Sequence, residues 1–364
     1  FQCSEDNLRI RYRVDGALHD GMKLPPYAWP SLLTRIMVLS EMNIAERRLP
    51  QDGRIRHEHE GQPYDLRVNF TPTAGGGQVV MRVLRSRQGL LSLDQLGFSQ
   101  VARRQVETLL DRPAGLAIVT GPTGSGKTTT LYAMLMHLNS VEKHLLTVED
   151  PVEYRLPGVA QTAVDRRAGL TFCNLLRTFM RQDPDVIMVG EIRDLETAEL
   201  IMQASVTGHL MLSALHAKDA ASVPQRLTDM GMEPFLTTNA LCGAVAQRLV
   251  RCVCETCKEE ADLPGEVRRS LAQAGAAVTC GTFYRGAGCD QCRKSGYRGR
   301  IAVHEVMTMT LALAELILRR ADVEAVRQQA LKDGMVSMLE DGIRKAAEGS
   351  TTVEEVLRVG RVPE

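Results

Sequence analysis

Along residues 1–95, apolar and polar positions alternate with a period near two, in "LRIRYRVDG", "YDLRVNFTPT" and "GQVVMRVLR". Side chains on a strand point to opposite faces in turn, so this pattern predicts half-buried strands. Gly, Pro and Asp break the runs. One stretch, "SLLTRIMVLSEM" from Ser31 to Met42, has helical spacing instead. Together they predict a small α+β domain over 1–95. "TPTAGGG" (Thr71 to Gly77) reads as a hairpin tip, and "RSRQGLLSLDQLG" (Arg85 to Gly97) as a connection.

The pattern changes over 96–250. Short apolar runs, "LAIVT", "HLLTVED", "DVIMVGE" and "HLMLSAL", alternate with helical stretches. Each run is too short for a helix and apolar on both faces. Strands of that kind belong to a parallel sheet covered by helices, so an α/β fold is predicted here. Residues 251–300 carry two cysteine pairs. Residues 301–364 read as helices, such as "LALAELILRRA" and "VEAVRQQALKDGM".

Composition narrows the picture. A chain of 364 residues holds two to three domains. Lys plus Arg is 44 and Asp plus Glu is 44, which argues against a global electrostatic grip on nucleic acid. Aromatic residues make up only 4%, fewer than a base-stacking platform needs. No run approaches a membrane span, and no signal peptide is visible. The chain opens at Phe1 rather than Met, as a trimmed segment or excised domain would. Nine Cys without an export signal point to a reducing compartment, where paired Cys are more often metal ligands than disulfides.

The chemistry is concentrated in a few stretches. "AIVTGPTGSGKTTTLYAML" is an apolar run, a glycine-rich turn and a helical stretch. Gly121, Pro122, Thr123, Gly124, Ser125, Gly126, Lys127, Thr128 and Thr129 form the phosphate-binding candidate. Glycines let backbone N–H groups turn inward around phosphate oxygens, and the helix adds its positive end. Lys127 would reach the β and γ phosphates of ATP, and Thr128 would hold Mg²⁺. A kinase, a GTPase switch, a nucleic-acid motor and a secretion motor all fit this loop.

Acidic residues end two further strands. "PDVIMVGEIRD" presents Glu191, and "TVEDPVEY" presents Glu149, Asp150 and Glu153. Strand C-terminal ends in an open α/β sheet face the ligand crevice, so these carboxylates are candidates for holding metal or orienting water. "TGHLMLSALHA" flanks a strand with His209 and His216, of which His216 is the candidate for the γ-phosphate side. Arginines that stabilise phosphoryl charge are absent from the loop region. The stretch "DRRAGLTFCNLLRTFMRQDPD" offers Arg167, Arg177 and Arg181. Arg9, Arg11 and Arg13 of the N-terminal strand are secondary candidates.

Cys254-x-x-Cys257 and Cys289-x-x-Cys292, 31 residues apart, suit tetrahedral Zn²⁺ bound by four thiolates. Such a site is closed and therefore structural. Cys252 lies near enough to compete. It is read, with Cys3, Cys173, Cys242 and Cys280, as a non-ligand thiol.

The motifs combine in order: "TGPTGSGKTTTLYA", "LLTVEDPVEY", "AGLTF", "RQDPDVIMVGEIRDLETA", "TGHLMLSALHA", "CETC…GCDQC" and "GYRGR". The set resembles the secretion ATPases of bacterial type II secretion systems and type IV pilus assembly, over nearly the whole chain. The resemblance implies a PAS-like N-terminal domain, a RecA-like P-loop ATPase domain, a tetracysteine zinc insertion and C-terminal helices. It implies a cytoplasmic homo-hexamer, peripheral at the inner membrane. Its partners would be a platform protein and the cytoplasmic domain of a membrane-anchored secretion component, with no nucleic acid. An upstream domain that docks to the platform is expected. Glu191 becomes the leading catalytic glutamate, with the Glu149–Glu153 cluster as the acidic box. The resemblance also implies that arginines of the two regions reach the nucleotide, some only after domains or subunits close, with Arg167 and Arg181 favoured as finger or sensor. Retraction-type relatives generally lack the tetracysteine element, which favours assembly or secretion. The alternatives carried forward are a RecA-like nucleic-acid motor and a P-loop kinase.

Overall fold

The computed structural model describes residues 1–4, 6–14, 16–85, 90–166, 168–263, 265, 269 and 282–360. The expected connection over Arg85 to Gly97 lies partly outside these residues. The chain forms two compact units, Phe1–Gly89 and Leu90–Glu364.

The first unit contains strands β1 (Gln2–Cys3), β2 (Leu8–Val14) and β3 (Ala17–Leu24), helix α1 (Trp29–Leu39), and strands β4 (Gln51–His59), β5 (Gln62–Thr71) and β6 (Gln78–Arg85). They make one antiparallel sheet in the order β3-β2-β1-β6-β5-β4. Trp29, Leu33, Ile36 and Met37 of α1 share a core with Leu8, Val68, Phe70 and Val79 of the sheet. That is the burial the period-two pattern encodes. Thr71 pairs with Gln78 across the expected hairpin tip, and the Trp29 indole N–H donates to the Gly76 carbonyl at 2.9 Å.

The second unit begins with α2 (Gln100–Leu110), β7 (Gly115–Thr120), α3 (Lys127–Leu138), β8 (Leu145–Glu149) and β9 (Ala160–Ala163). It continues with α4 (Phe172–Phe179), β10 (Val186–Val189), α5 (Leu195–Val206), β11 (Leu210–Leu215), α6 (Val223–Asp229) and α7 (Pro234–Ala240). Then come β12 (Leu241–Val253), β13 (Lys258–Ala261), β14 (Phe283–Gly286) and β15 (Tyr297–Thr308). Helices α8 (Leu311–Leu318), α9 (Val323–Lys332), α10 (Met338–Ala347) and α11 (Val353–Gly360) close the described chain.

Seven of these strands form a mixed sheet in the order β15-β12-β7-β11-β10-β8-β9. All pairings are parallel except β12 with β15. Leu116 and Ile118 of β7 pack on one face with α4 and α5, while Ala117 and Val119 pack on the other with α2 and α3. Burial on both faces explains why the four short runs are apolar throughout. β12 and β15 were not expected as strands. β12 runs through position 250, where the sequence reading set a boundary, and β15 returns from the cysteine region to the same sheet.

The C-terminal helices are fastened by buried charge. The Lys345 ammonium of α10 is 1% exposed and donates to Asp341 Oδ2 and to the Ala302 carbonyl of β15, both at 2.6 Å. Asp341 Oδ2 also accepts the backbone N–H of His304 at 2.9 Å. Removing one partner of such a pair leaves the other charge buried and uncompensated. Asp341→Ala is therefore expected to cost about 3 kcal/mol in chemical denaturation. Replacing both partners, Asp341→Leu with Lys345→Met, is expected to recover most of that loss.

Candidate nucleotide site and metal centre

The register of the parallel strands determines where the candidate residues emerge. Thr120 pairs with Leu215, Val189 with Ser213, and Val189 with Val148. The C-terminal ends of β7, β11, β10 and β8 therefore lie along one edge of the sheet. The loop Gly121–Gly126 leaves from the first, His216 from the second, Gly190 and Glu191 from the third, and Asp150 from the fourth.

The loop has the backbone that its glycines allow. Gly121 and Gly126 have φ of +149° and +90°, a region that disfavours side chains. A Cβ on Gly121 would lie 2.5 Å from the Gln247 carbonyl oxygen. Lys127 and Thr128 open α3, with Thr128 exposed and Thr129 half-buried. Lys127 Nζ lies over the loop, donating to the carbonyls of Gly121 at 2.8 Å and Pro122 at 3.1 Å. Burial pulls its pKa below the ordinary lysine value, opposed by the charge of Glu191. Ser125 Oγ is buried and has no hydrogen-bond partner. A tight backbone cradle, an ammonium over it and a helix start behind it fit a polyphosphate.

Glu191 faces this loop from the next-but-one strand. Arg193 donates to Glu191 Oε1 through Nε at 2.7 Å and through Nη2, and to Asp150 Oδ2 at 3.3 Å. His216 Nε2 lies 3.5 Å from Glu191 Oε2. Arg166 Nη2 lies 3.7 Å from Asp150 Oδ2. The strand ends thus bring Asp150 and Glu191 into one chain through Arg193, with His216 beside Glu191. Thr120 Oγ1 bonds across the strand ends to Leu215 O, Ala217 O and Ala217 N, which fixes where His216 emerges.

Glu149 is placed differently. It is 3% exposed and accepts from Tyr132 Oη, Thr147 Oγ1 at 2.6 Å and Gln161 Nε2 at 3.1 Å. Burial pushes its pKa above the ordinary carboxylate value, against those hydrogen bonds. Its carboxylate is directed into the domain, not at the loop. The backbone N–H of Glu153 donates to the same Tyr132 Oη at 3.2 Å.

The arginines divide in the same way. Arg181 donates to the Arg177 carbonyl at 2.6 Å, and Arg177 pairs with Glu196 at 2.9 Å, away from the Asp150–Glu191 chain. Arg167 and Cys280 lie outside the described residues. In the first unit Arg9 pairs with Asp20 at 2.6 Å and Arg13 donates to Gly16 O at 2.7 Å.

Beside the loop is a cleft of about 440 Å³ lined by Gly121, Pro122, His216, Lys218, Arg226 and Arg248 among others. Arg248 donates to Lys218 O at 2.5 Å and Gln247 O at 3.1 Å. The cations of this cleft outnumber its one carboxylate, Asp229, which suits an anionic ligand.

Sequence reasoning missed Arg193, Arg166, Arg248 and Gln247. Arg193 was visible two positions after Glu191. Gln247 left a weaker signal, one amide interrupting the apolar run "LCGAVAQRLV".

The tetracysteine element sits beyond the far end of β12. Sγ of Cys254, Cys257, Cys289 and Cys292 all lie within 4.8 Å of one another. Three of the separations are 3.8, 3.8 and 3.7 Å. A tetrahedron with metal–sulfur bonds of about 2.3 Å needs sulfurs about 3.8 Å apart, so the four fit Zn²⁺. N–H groups of Cys289 and Gly296 point at Cys292 Sγ at 3.1 and 3.3 Å, the former chiefly holding that thiol down to about 6. Cys3, Cys173, Cys242 and Cys252 are not part of the cluster. Cys289→Ser is expected to lose about one equivalent of zinc on dialysis against chelator, read by metal analysis, while Cys252→Ser retains it.

The family described as type II/IV secretion system protein matches residues 1–358. The chain is 46% identical over 352 residues to the type II secretion system protein HxcR of Pseudomonas aeruginosa, covering 97% of this chain and 71% of that protein. It is 41% identical over 353 residues to the type IV pilus assembly ATPase PilB of Thermus thermophilus, covering 97% of this chain and 40% of that protein. Its fold is similar to that of the pilus retraction motor PilT with bound ADP, at a TM-score of 0.66 and 24% identity, covering 98% and 94% of the two chains. The chain belongs to the type II/IV secretion system protein family.

Proposed function

We propose that this member of the secretion ATPase family hydrolyses ATP to power type II secretion pseudopilus or type IV pilus assembly, as one subunit of a ring. The observation that carries the reading is the convergence of loop Gly121–Gly126, Lys127, Glu191, Asp150 and His216 at one sheet edge, in a unit that also holds four clustered thiols.

In this reading the residues divide the work. Backbone N–H groups of Gly121–Thr128 hold the phosphates, and Lys127 supplies the charge over the β and γ groups. Thr128 would hold Mg²⁺, and Asp150 is read as a carboxylate for its water shell. Once bound, Mg²⁺ would supply charge neutralisation to the phosphate groups. Glu191 orients the attacking water and accepts its proton, held in place by Arg193. His216 reads the γ-phosphate side beside Glu191. Glu149, with its oxygens buried, positions the strand end through Tyr132. Glu153 borders the same turn. Arg167 and Arg181 are read as finger or sensor, and Arg9 and Arg13 as arginines that reach a nucleotide only after rearrangement. Cys254, Cys257, Cys289 and Cys292 hold a structural Zn²⁺ that shapes a knob toward a partner.

In this reading the N-terminal unit is PAS-like and the second unit is built on a RecA-like core. The functional assembly is a homo-hexamer in the cytoplasm, at the inner membrane through a platform protein and the cytoplasmic domain of an anchored secretion component. No helix among the described residues is long and apolar enough to cross a membrane.

Glu191→Gln is expected to bind nucleotide normally while kcat falls by about 10²- to 10³-fold, read by phosphate release. Turnover per subunit measured against protein concentration, with sedimentation on the same samples, tests the ring. Specific activity is expected to rise as hexamers form. Constant activity from a monomer would remove the arginines in trans and the ring with them.

A further inference from the structure

We infer that Gln247 is a positioning residue for nucleotide binding, a buried amide on β12 that sets the conformation of the Gly121–Thr128 loop. The inference rests on reading that loop as the nucleotide site. β12 pairs with β7 up to Ala246 and Thr120. Gln247 is therefore level with Gly121, where the chain leaves the sheet, and its side chain lies beneath the loop. It is 1% exposed.

Both ends of the amide are engaged. Nε2 donates to the Ser125 carbonyl at 2.7 Å, and Oε1 accepts from Thr130 Oγ1 of α3 at 2.7 Å. In a trans peptide the C=O and the following N–H point in opposite directions. Tying Ser125 O down onto Gln247 therefore turns the Gly126 N–H the other way, into the loop's concave side. The Thr130 bond fixes the amide relative to the first turn of α3. Gln247 also closes the space behind the glycines. Its backbone carbonyl oxygen is 2.5 Å from where a Gly121 Cβ would be, and its side-chain Nε2 is 3.1 Å from that of Gly126.

A loop of glycines has many backbone alternatives, and ordering them on binding costs affinity. An amide that fixes one peptide plane in advance removes part of that cost. Filling space alone would not need it, since an apolar side chain leaves no buried polar group to satisfy. Glu is no substitute: an ionised carboxylate cannot donate to Ser125 O.

The test uses Gln247→Met, which keeps length and loses both hydrogen bonds. Affinity is read with a fluorescent ADP analogue, kcat and KM with ATP, and Tm without nucleotide. Gln247→Met is expected to raise Kd and KM about tenfold, roughly the worth of one buried hydrogen bond, with kcat reduced less and Tm lowered by only a few degrees. Thr130→Val is expected to raise Kd about threefold and Thr130→Ser to restore it. The double variant Gln247→Met/Thr130→Val is expected to be no weaker than Gln247→Met, because the two side chains act as a unit. Wild-type Kd in Gln247→Met overturns the proposal. If that variant does not fold, wild-type Kd in Thr130→Val overturns it. Lys127→Ala separates the two readings. Loss of binding there with normal binding in Gln247→Met overturns only the role of Gln247. Normal binding in Lys127→Ala overturns the loop as nucleotide site, and the proposal with it.

Discussion

The in-register parallel pairing of β7, β11, β10 and β8 is the constraint on which the rest of the second unit depends. Parallel strands joined by helical crossovers all end on the same edge, and that edge collects the loop, the acidic turns and the histidine. Moving one strand by a single residue would exchange the side chains packed on its two faces and displace its terminal group from the others. Burial on both faces makes that slip costly, because each strand is packed against helices above and below. The geometry of the site is thus held by the hydrophobic packing of the strands whose ends carry it.

The far edge of the sheet ties this site to the C-terminal part of the chain. β12 carries Gln247 and Arg248 at the loop, then Arg251, and Cys254 follows directly after its last residue. Arg251 donates to Glu355 of α11 at 2.6 Å and stacks on Tyr297, so the strand is held on both sides before it reaches the thiols. The loop after His216 is held as well. Ala220 N–H donates to the buried Glu305 carboxylate of β15 at 3.0 Å, and Asp219 pairs with Arg327 of α9 at 2.5 Å. A change at the phosphate side therefore meets two routes of direct contact into the C-terminal helices and one along β12 toward the cysteine cluster. These are contacts, and coupling along them is a separate quantity.

The parallel core was legible because its strands are buried on both faces and leave unmistakable apolar runs. The loop, Glu191 and the cysteine pairs were legible because their chemistry depends on local spacing. β12 and β15 were hidden for the opposite reason. They are long, partly polar, and pair across more than forty intervening residues, so no local period announces them. Glu149 and Asp150 are neighbours in sequence, yet a strand sends alternate side chains to opposite sides. One is buried against Tyr132 and the other lies at the site. Composition could not separate them, and only the three-dimensional position of Tyr132 and Gln161 does.

Arg193 shows how the edge tolerates its own charge. Asp150 and Glu191 end adjacent strands, and two carboxylates so placed repel each other. A guanidinium that reaches both offsets that repulsion and, being planar with fixed donors, also fixes the direction of each carboxylate. Lysine would neutralise the pair without orienting it. His216 completes the row on the other side of Glu191. A carboxylate held between a guanidinium and an imidazole keeps its lone pairs in a defined direction. That direction, rather than basicity alone, is what aligning a water against a phosphorus atom demands.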